Sequence, residues 1–203
     1  MIFAYNKENV GDTLLVIVND DHAQENFVIR KGDVARVTLA DDTVVAWNFF
    51  NISNYLEIQG NGQVSLTDED IMKLNSLLMA AGFTETLTAD DEPKIVVGFV
   101  KSSKKHPDSD HLSITQTEVG DGEVLQIVCG APNVKAGQKV VVAKPGAMMP
   151  DGLLIWPGVL RGVESFGMIC SAKELHLPDA PEKKGILELP FDAVVGEAFA
   201  VGK

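Results

Sequence analysis

Residues 125–144 read LQIVCGAPNVKAGQKVVVAK and residues 160–175 read LRGVESFGMICSAKEL. In both stretches short apolar runs alternate with glycines and isolated polar residues that a hydrophobic core alone would not require. They are built to place a surface. Working outward from them, the runs 95–100, 112–119, 124–128 and 139–143 are rich in Val and Ile and are separated by Gly, Pro, Asp and Asn. That is the pattern of strands joined by turns, and several strands at this spacing predict a small barrel or a sandwich.

The pattern does not choose between the two, since a sandwich reads almost the same. Among barrels the five-stranded oligonucleotide-binding (OB) type is the natural candidate, because it exposes a sheet face and flanking loops that suit nucleic acid.

The chain has 203 residues, room for one large or two small domains. With 45% hydrophobic and 23% charged residues it has an ordinary globular composition. Its start, MIFAYNKENV, has neither a basic n-region nor an apolar h-region, and no run approaches the roughly 20 residues that span a bilayer. A cytoplasmic protein without a membrane partner is expected. The two cysteines, Cys129 and Cys170, each end an apolar run and are expected as small buried hydrophobes. Two cysteines alone make no structural zinc site.

Net charge is −12, which at first sight argues against nucleic acid, but its distribution is uneven. Residues 1–92 carry 5 Lys and Arg against 16 Asp and Glu, and residues 93–173 carry 9 against 7. Such asymmetry predicts two domains with different partners.

In the first half, residues 13–18, 27–29, 34–39 and 43–50 read as strands, with Asp41-Asp42 as a turn. The clearest helix is 67–83: Thr67 caps it, Asp68, Glu69 and Asp70 suit its first turn, and Gly82 ends it. Ile71, Leu74, Leu78 and Ala81 form its core stripe. Residues 84–93, TETLTADDEP, have the composition of a linker. The expected domains are therefore 1–90, an acidic α+β domain whose role is not legible, and 91–203, a β domain.

In the second, residues 101–111, KSSKKHPDSDH, are expected as a turn-rich loop after the first strand, with Lys101, Lys104, Lys105 and His106 as a basic patch suited to phosphate contacts. A solvated charged loop is the competing reading. His106, Asp108, Asp110 and His111 make a weak metal set, since the Asp residues serve equally as turn formers. Asp151-Gly152 signals a hairpin turn, Met148 and Met149 read as core filler, and Gly162 and Gly167 permit tight turns or close approach. Ser171 is expected to cap a short helix over 172–175, residues 178–185 a loop, and 186–189 a last strand.

Taken together, Lys105-His106-Pro107 with Asp110 and Leu112, the two long stretches quoted above, and GILELP at 185–190 resemble the tRNA-binding domain found near the N-terminus of the phenylalanyl-tRNA synthetase β subunit and in free-standing tRNA-binding proteins. The resemblance covers 94 to about 190, and the acidic domain in front of it is similar to the bacterial YtpR-type proteins of that family. It implies an OB-fold that holds tRNA by shape and backbone. Carried over by residue, it implies RNA contacts at Lys104, Lys105 and His106 and at Ser165 and Met168; charge and position add Arg161 and Lys173. Asp108 and Asp110 depart from the family by diluting the basic loop. Few aromatics lie in the second half, which agrees with backbone rather than base recognition.

The expected function is a non-catalytic tRNA-binding protein without cofactor or metal, with a homodimer or an aminoacyl-tRNA synthetase as further partners. The alternative is a protein-interaction module docking on a synthetase, its RNA binding vestigial. An enzyme is not expected, because no nucleophile with a base, no metal cluster and no phosphate-cradling glycine motif occurs.

Overall fold

The computed structural model describes residues 1–88 and 92–202. It divides into two compact units, Met1–Asp91 and Glu92–Lys203.

The first unit is a six-stranded antiparallel sheet made of β1 (Ile2–Tyr5), β2 (Thr13–Ile17), β3 (Phe27–Lys31), β4 (Val34–Thr38), β5 (Val44–Phe50) and β6 (Gly62–Gln63), in the order β3-β4-β5-β2-β1-β6. Helix α1 (Asp68–Ala80) covers one face, where Ile71, Leu74 and Leu78 pack with Leu14, Val16, Trp47 and Phe49. Thr67 forms a capping box with Asp70: its hydroxyl accepts from the Asp70 N–H while the Asp70 carboxylate accepts from the Thr67 N–H. The helix ends three residues before the expected 83, because Gly82, at φ +73°, leaves the helical region. The edge strand β3 leaves all five residues exposed.

In the second unit come β7 (Ile95–Lys105), β8 (Ser113–Gly120), β9 (Glu123–Cys129), β10 (Lys139–Ala143), the pair β11 (Ala147–Met148) and β12 (Leu154–Ile155), the hairpin β13 (Gly158–Leu160) and β14 (Val163–Ser165), then β15 (Met168–Ile169) and β16 (Glu188–Leu189). The main sheet runs β15-β10-β7-β8-β9, with β16 also on β10. The first strand thus pairs with the second and the fourth, and β15 lies against both β10 and β9. This closes the sheet into the five-stranded barrel of the OB type. The protein is mainly β, a small α+β unit followed by a barrel.

After Lys139, strand β10 is apolar because both its faces are covered. Val140 and Val142 point into the barrel with Val96, Val100 and Ile127, whereas Val141 and Ala143 face a second cluster built from Ala147, Met149, Cys170 and Leu175.

Two expectations are corrected. The segment after residue 100 is not yet a loop: β7 continues through KSSKK to Lys105, paired with β8 as far as Ser113, with a bulge between Val100 and Ser102. Polar side chains hid the strand because its far half is solvent-facing. Residues 172–175 form a single turn and no helix. Ser171 caps it as expected, accepting from Glu174 N at 3.2 Å, but His176, at φ +50°, leaves the helical region and Pro178 follows, so the turn does not propagate.

Candidate nucleic-acid interface

The hairpin β13–β14 turns on two residues, Arg161 at φ +47° and Gly162 at φ +81°. Two positive φ values in sequence are the geometry of a tight primed turn, which matches the twist of the flanking strands. The turn aims Arg161 back at the loop after β7, where its guanidinium Nη1 donates to the Asp108 carbonyl at 2.9 Å. A second bond runs between the same two segments. The Asp108 N–H donates to His106 Nδ1 at 3.0 Å, so the ring proton sits on Nε2, which donates to the Leu160 carbonyl at 3.2 Å.

His106 is only 3% exposed. It is therefore a buried brace between loop and hairpin, and not a member of the exposed basic patch that the sequence pattern suggests. Lys104, Lys105 and Arg161 remain exposed on either side of it.

Ser165 is also inside, at 5% exposure. Its Oγ accepts from the Val128 N–H at 3.1 Å, the Phe166 N–H donates to the Gln126 carbonyl at 2.8 Å, and Gln126 Nε2 donates to the Glu164 carbonyl at 2.8 Å. These bonds fasten residues 164–166 to β9 along the seam of the barrel. As with His106, burial replaces an expected surface position, and the hydroxyl is spent on the backbone. Gly167 then passes so close to β10 that a Cβ, at its φ of +125°, would lie 2.7 Å from the Ala143 carbonyl oxygen.

Beyond the turn the chain lines a cleft of about 540 Å³ with Met168 and Lys173, and Lys183 and Lys184 line it as well. Met168 is half-buried and Lys173 exposed. Sequence reasoning misses Lys183 and Lys184, which lie in a segment that reads as a plain loop; the signal is the pair KK directly before Gly185. The segment that follows Lys183 and Lys184 is positioned by Asn133, whose Oδ1 accepts from Ile186 N at 2.9 Å and whose Nδ2 donates to the Ile186 carbonyl at 3.1 Å.

Not every cation of this unit is free to meet a polyanion. Lys101 stands 3.5 Å from Glu118, and the largely buried Lys144 holds Glu123 at 2.8 Å and also Glu92. Hydrogen bonds from Lys144 and then Lys94 hold the Glu92 carboxyl below its usual range. Burial pulls the Lys144 ammonium down, but its bonds to Glu123 and Glu92 outweigh that and leave its pKa raised. Cys129 and Cys170 are buried free thiols. No group of three or more His, Cys, Asp or Glu side chains placed to hold a metal occurs among the described residues.

Six of the seven expected residues thus fall in two places. Lys104, Lys105, His106 and Arg161 meet at the loop–hairpin junction, Met168 and Lys173 meet at the cleft, and Ser165 lies between, bonded to β9. Together these features define a small OB-type barrel module carrying exposed cations at a junction and at a cleft.

Residues 95–198 match the family model described as "Putative tRNA binding domain", and the chain belongs to that family. Residues 21–90 match a model described as "Domain of unknown function (DUF4479)". The chain is 52% identical over 196 residues, 96% of its own length and 97% of the relative's, to the "Putative tRNA-binding protein YtpR" of Bacillus subtilis. It is 48% identical over 127 residues to the phenylalanine–tRNA ligase β subunit of Neisseria meningitidis, a match that covers 61% of this chain but 16% of that subunit. A solved structure of the C-terminal domain of Plasmodium vivax p43 aligns with 55% of this chain and 61% of that one at 25% identity, with a TM-score of 0.39.

Proposed function

We propose that this chain is a non-catalytic tRNA-binding protein that grips tRNA through the barrel of its second unit, by shape and backbone. The observation that carries the reading is the His106 brace, which joins the end of β7, carrying Lys104 and Lys105, to the hairpin carrying Arg161, within a family described by tRNA binding. Cations held at fixed spacing on a β surface suit phosphates, and phosphate contacts position a nucleic acid without reading its sequence.

tRNA is the partner, the cytoplasm the place of work, and self-association or docking on an aminoacyl-tRNA synthetase a secondary association. No helix among the described residues is long and apolar enough to cross a membrane.

The test is an electrophoretic mobility shift with bulk tRNA over a salt series. Binding that weakens linearly in log affinity against log salt supports the reading. No shift at low salt overturns it in favour of a protein-docking module.

A further inference from the structure

The cleft beside the barrel combines two chemistries that a phosphate-gripping surface does not need together. Its apolar floor is offered by the half-buried Met168 and Ala131, beside the buried Ile169 and Ile186, and its lining also includes the exposed Lys173, Lys183 and Lys184. At about 540 Å³ it lies within the roughly 300–1,000 Å³ of small-molecule sites.

The rim lysines are uncommitted. Elsewhere in this unit Lys101 and Lys144 pair with carboxylates and Lys139 donates to the Ala193 carbonyl at 3.0 Å, but none of the three stands within ion-pair distance of a carboxylate among the described residues. Two acids also line the cleft, Glu174 and Glu182. The Glu174 carboxylate is occupied by Ser171, accepting from its N–H at 2.7 Å and its hydroxyl at 2.6 Å. Both acids keep their charge, so three ammonium groups meet two carboxylates and the lining carries a net charge of +1.

An apolar floor under a cationic rim matches a ligand with a flat apolar face and an attached anion. A free phosphate would not use the floor, and an apolar peptide side chain would not use the cations. We propose that the cleft is a subsite for one unstacked ribonucleotide of the bound tRNA, its base packing on Met168 and Ala131 and its flanking phosphates on Lys173, Lys183 and Lys184. The proposal rests on the tRNA reading above and adds what that reading lacks, a place for a base. The unbranched thioether of Met168 is adaptable enough to pack against any base. The contact is therefore tolerant of base identity, as stacking surfaces for single strands are. The nucleotide comes from the single-stranded 3′ end or from a loop, the parts of tRNA where a base can leave its stack.

The experiment uses the full chain with methyl-labelled Met and Ile, titrated with the trinucleotide CCA, with intact tRNA, and with tRNA lacking its four 3′-terminal nucleotides. The subsite predicts that the methyl resonances of Met168, Ile169 and Ile186 move with CCA and with intact tRNA, while Ile71 in the first unit does not respond to CCA. The double variant Lys183→Ala, Lys184→Ala should keep its melting temperature, bind CCA at least about fivefold more weakly, and reduce the salt slope by about 0.7 for each phosphate that the two ammonium groups neutralise. Truncated tRNA that leaves these methyls still assigns the 3′ end; truncated tRNA that still moves them assigns a loop nucleotide. Methyls unmoved by CCA and by intact tRNA, in a protein that still gives a mobility shift, overturn the subsite and leave tRNA binding standing. Absence of the mobility shift overturns the tRNA reading itself.

Discussion

Nε2 of His106 lies 3.2 Å from the carbonyl oxygen of Leu160, across 54 positions of sequence, with the histidine buried between them and its other nitrogen bonded to Asp108 N. A neutral side chain here sets where charged ones stand. His106→Ala should therefore weaken tRNA binding severalfold without changing the salt slope. It should also cost about 1–3 kcal/mol of stability for the buried groups left unpaired. Melting temperature and salt-dependent affinity on one variant check both; a flattened slope would mean that His106 touches phosphate after all.

Lys104 and Lys105 should behave in the opposite way. Both are exposed near the end of β7, so removing them leaves the fold intact. Lys104→Ala with Lys105→Ala should lower affinity for all tRNAs alike and flatten the slope by about 0.7–0.9 for each phosphate no longer neutralised. A double variant with the parent slope removes this strand from the interface.

Gly167→Ala tests the close pass beside β10. The added methyl group meets the Ala143 carbonyl oxygen at 2.7 Å from a backbone at φ +125°, where side chains are strained. A destabilisation of roughly 1–3 kcal/mol is expected from the backbone conformation alone. It should appear as a lower melting temperature of the second unit, with its core methyl signals perturbed; a parent-like melt would show that β10 and the seam separate easily.

The cysteines give a pH dependence. Burial pushes the Cys170 thiol up to about 12 and raises Cys129 as well. In the native protein neither should react with iodoacetamide at pH 8, and both should react once it is denatured. Because the folded state favours the neutral thiol, this contribution to stability is complete below the ordinary thiol value of 9.0 and is lost as pH climbs towards 12. Denaturation midpoints measured from pH 8 upward should fall over that window; a flat profile would mean that the thiol is hydrated.

Each unit has its own core. Residues 93–203 alone should therefore fold with a cooperative melt. The acidic first unit should repel a polyanion, so the fragment should bind tRNA more tightly than the full chain at low salt. The difference should shrink as the Debye length falls from about 30 Å to about 8 Å. Tighter binding by the full chain would assign the first unit to the RNA.

Periodicity and punctuation make part of this fold legible in the sequence. Strand β10 can be read to the residue because its first residue Lys139 and the following Lys144 bracket a run of four Val and Ala positions, and α1 can be read from Thr67 and its apolar stripe. What escapes is set by partners distant in sequence. KSSKK has no apolar alternation, and only its ladder with β8 makes it a strand. His106 and Ser165 look like surface polar residues, and their burial depends on Leu160 and Val128, which no local pattern brings near. Lys183 and Lys184 acquire a place only when the chain folds back across Asn133.

The two-sided burial of β10 sets an order of events when the chain is made. A ribosome delivers residues from the N-terminus onward, and domains generally fold as units in that order. The first unit has all its partners once residue 88 has emerged. Strands β7, β8 and β9 have local partners, but the cluster over Val141 and Ala143, begun by Ala147 and Met149, is complete only when Cys170 and Leu175 arrive, and the barrel stays open until β15 does. The nascent protein therefore completes its acidic unit before it can close the barrel.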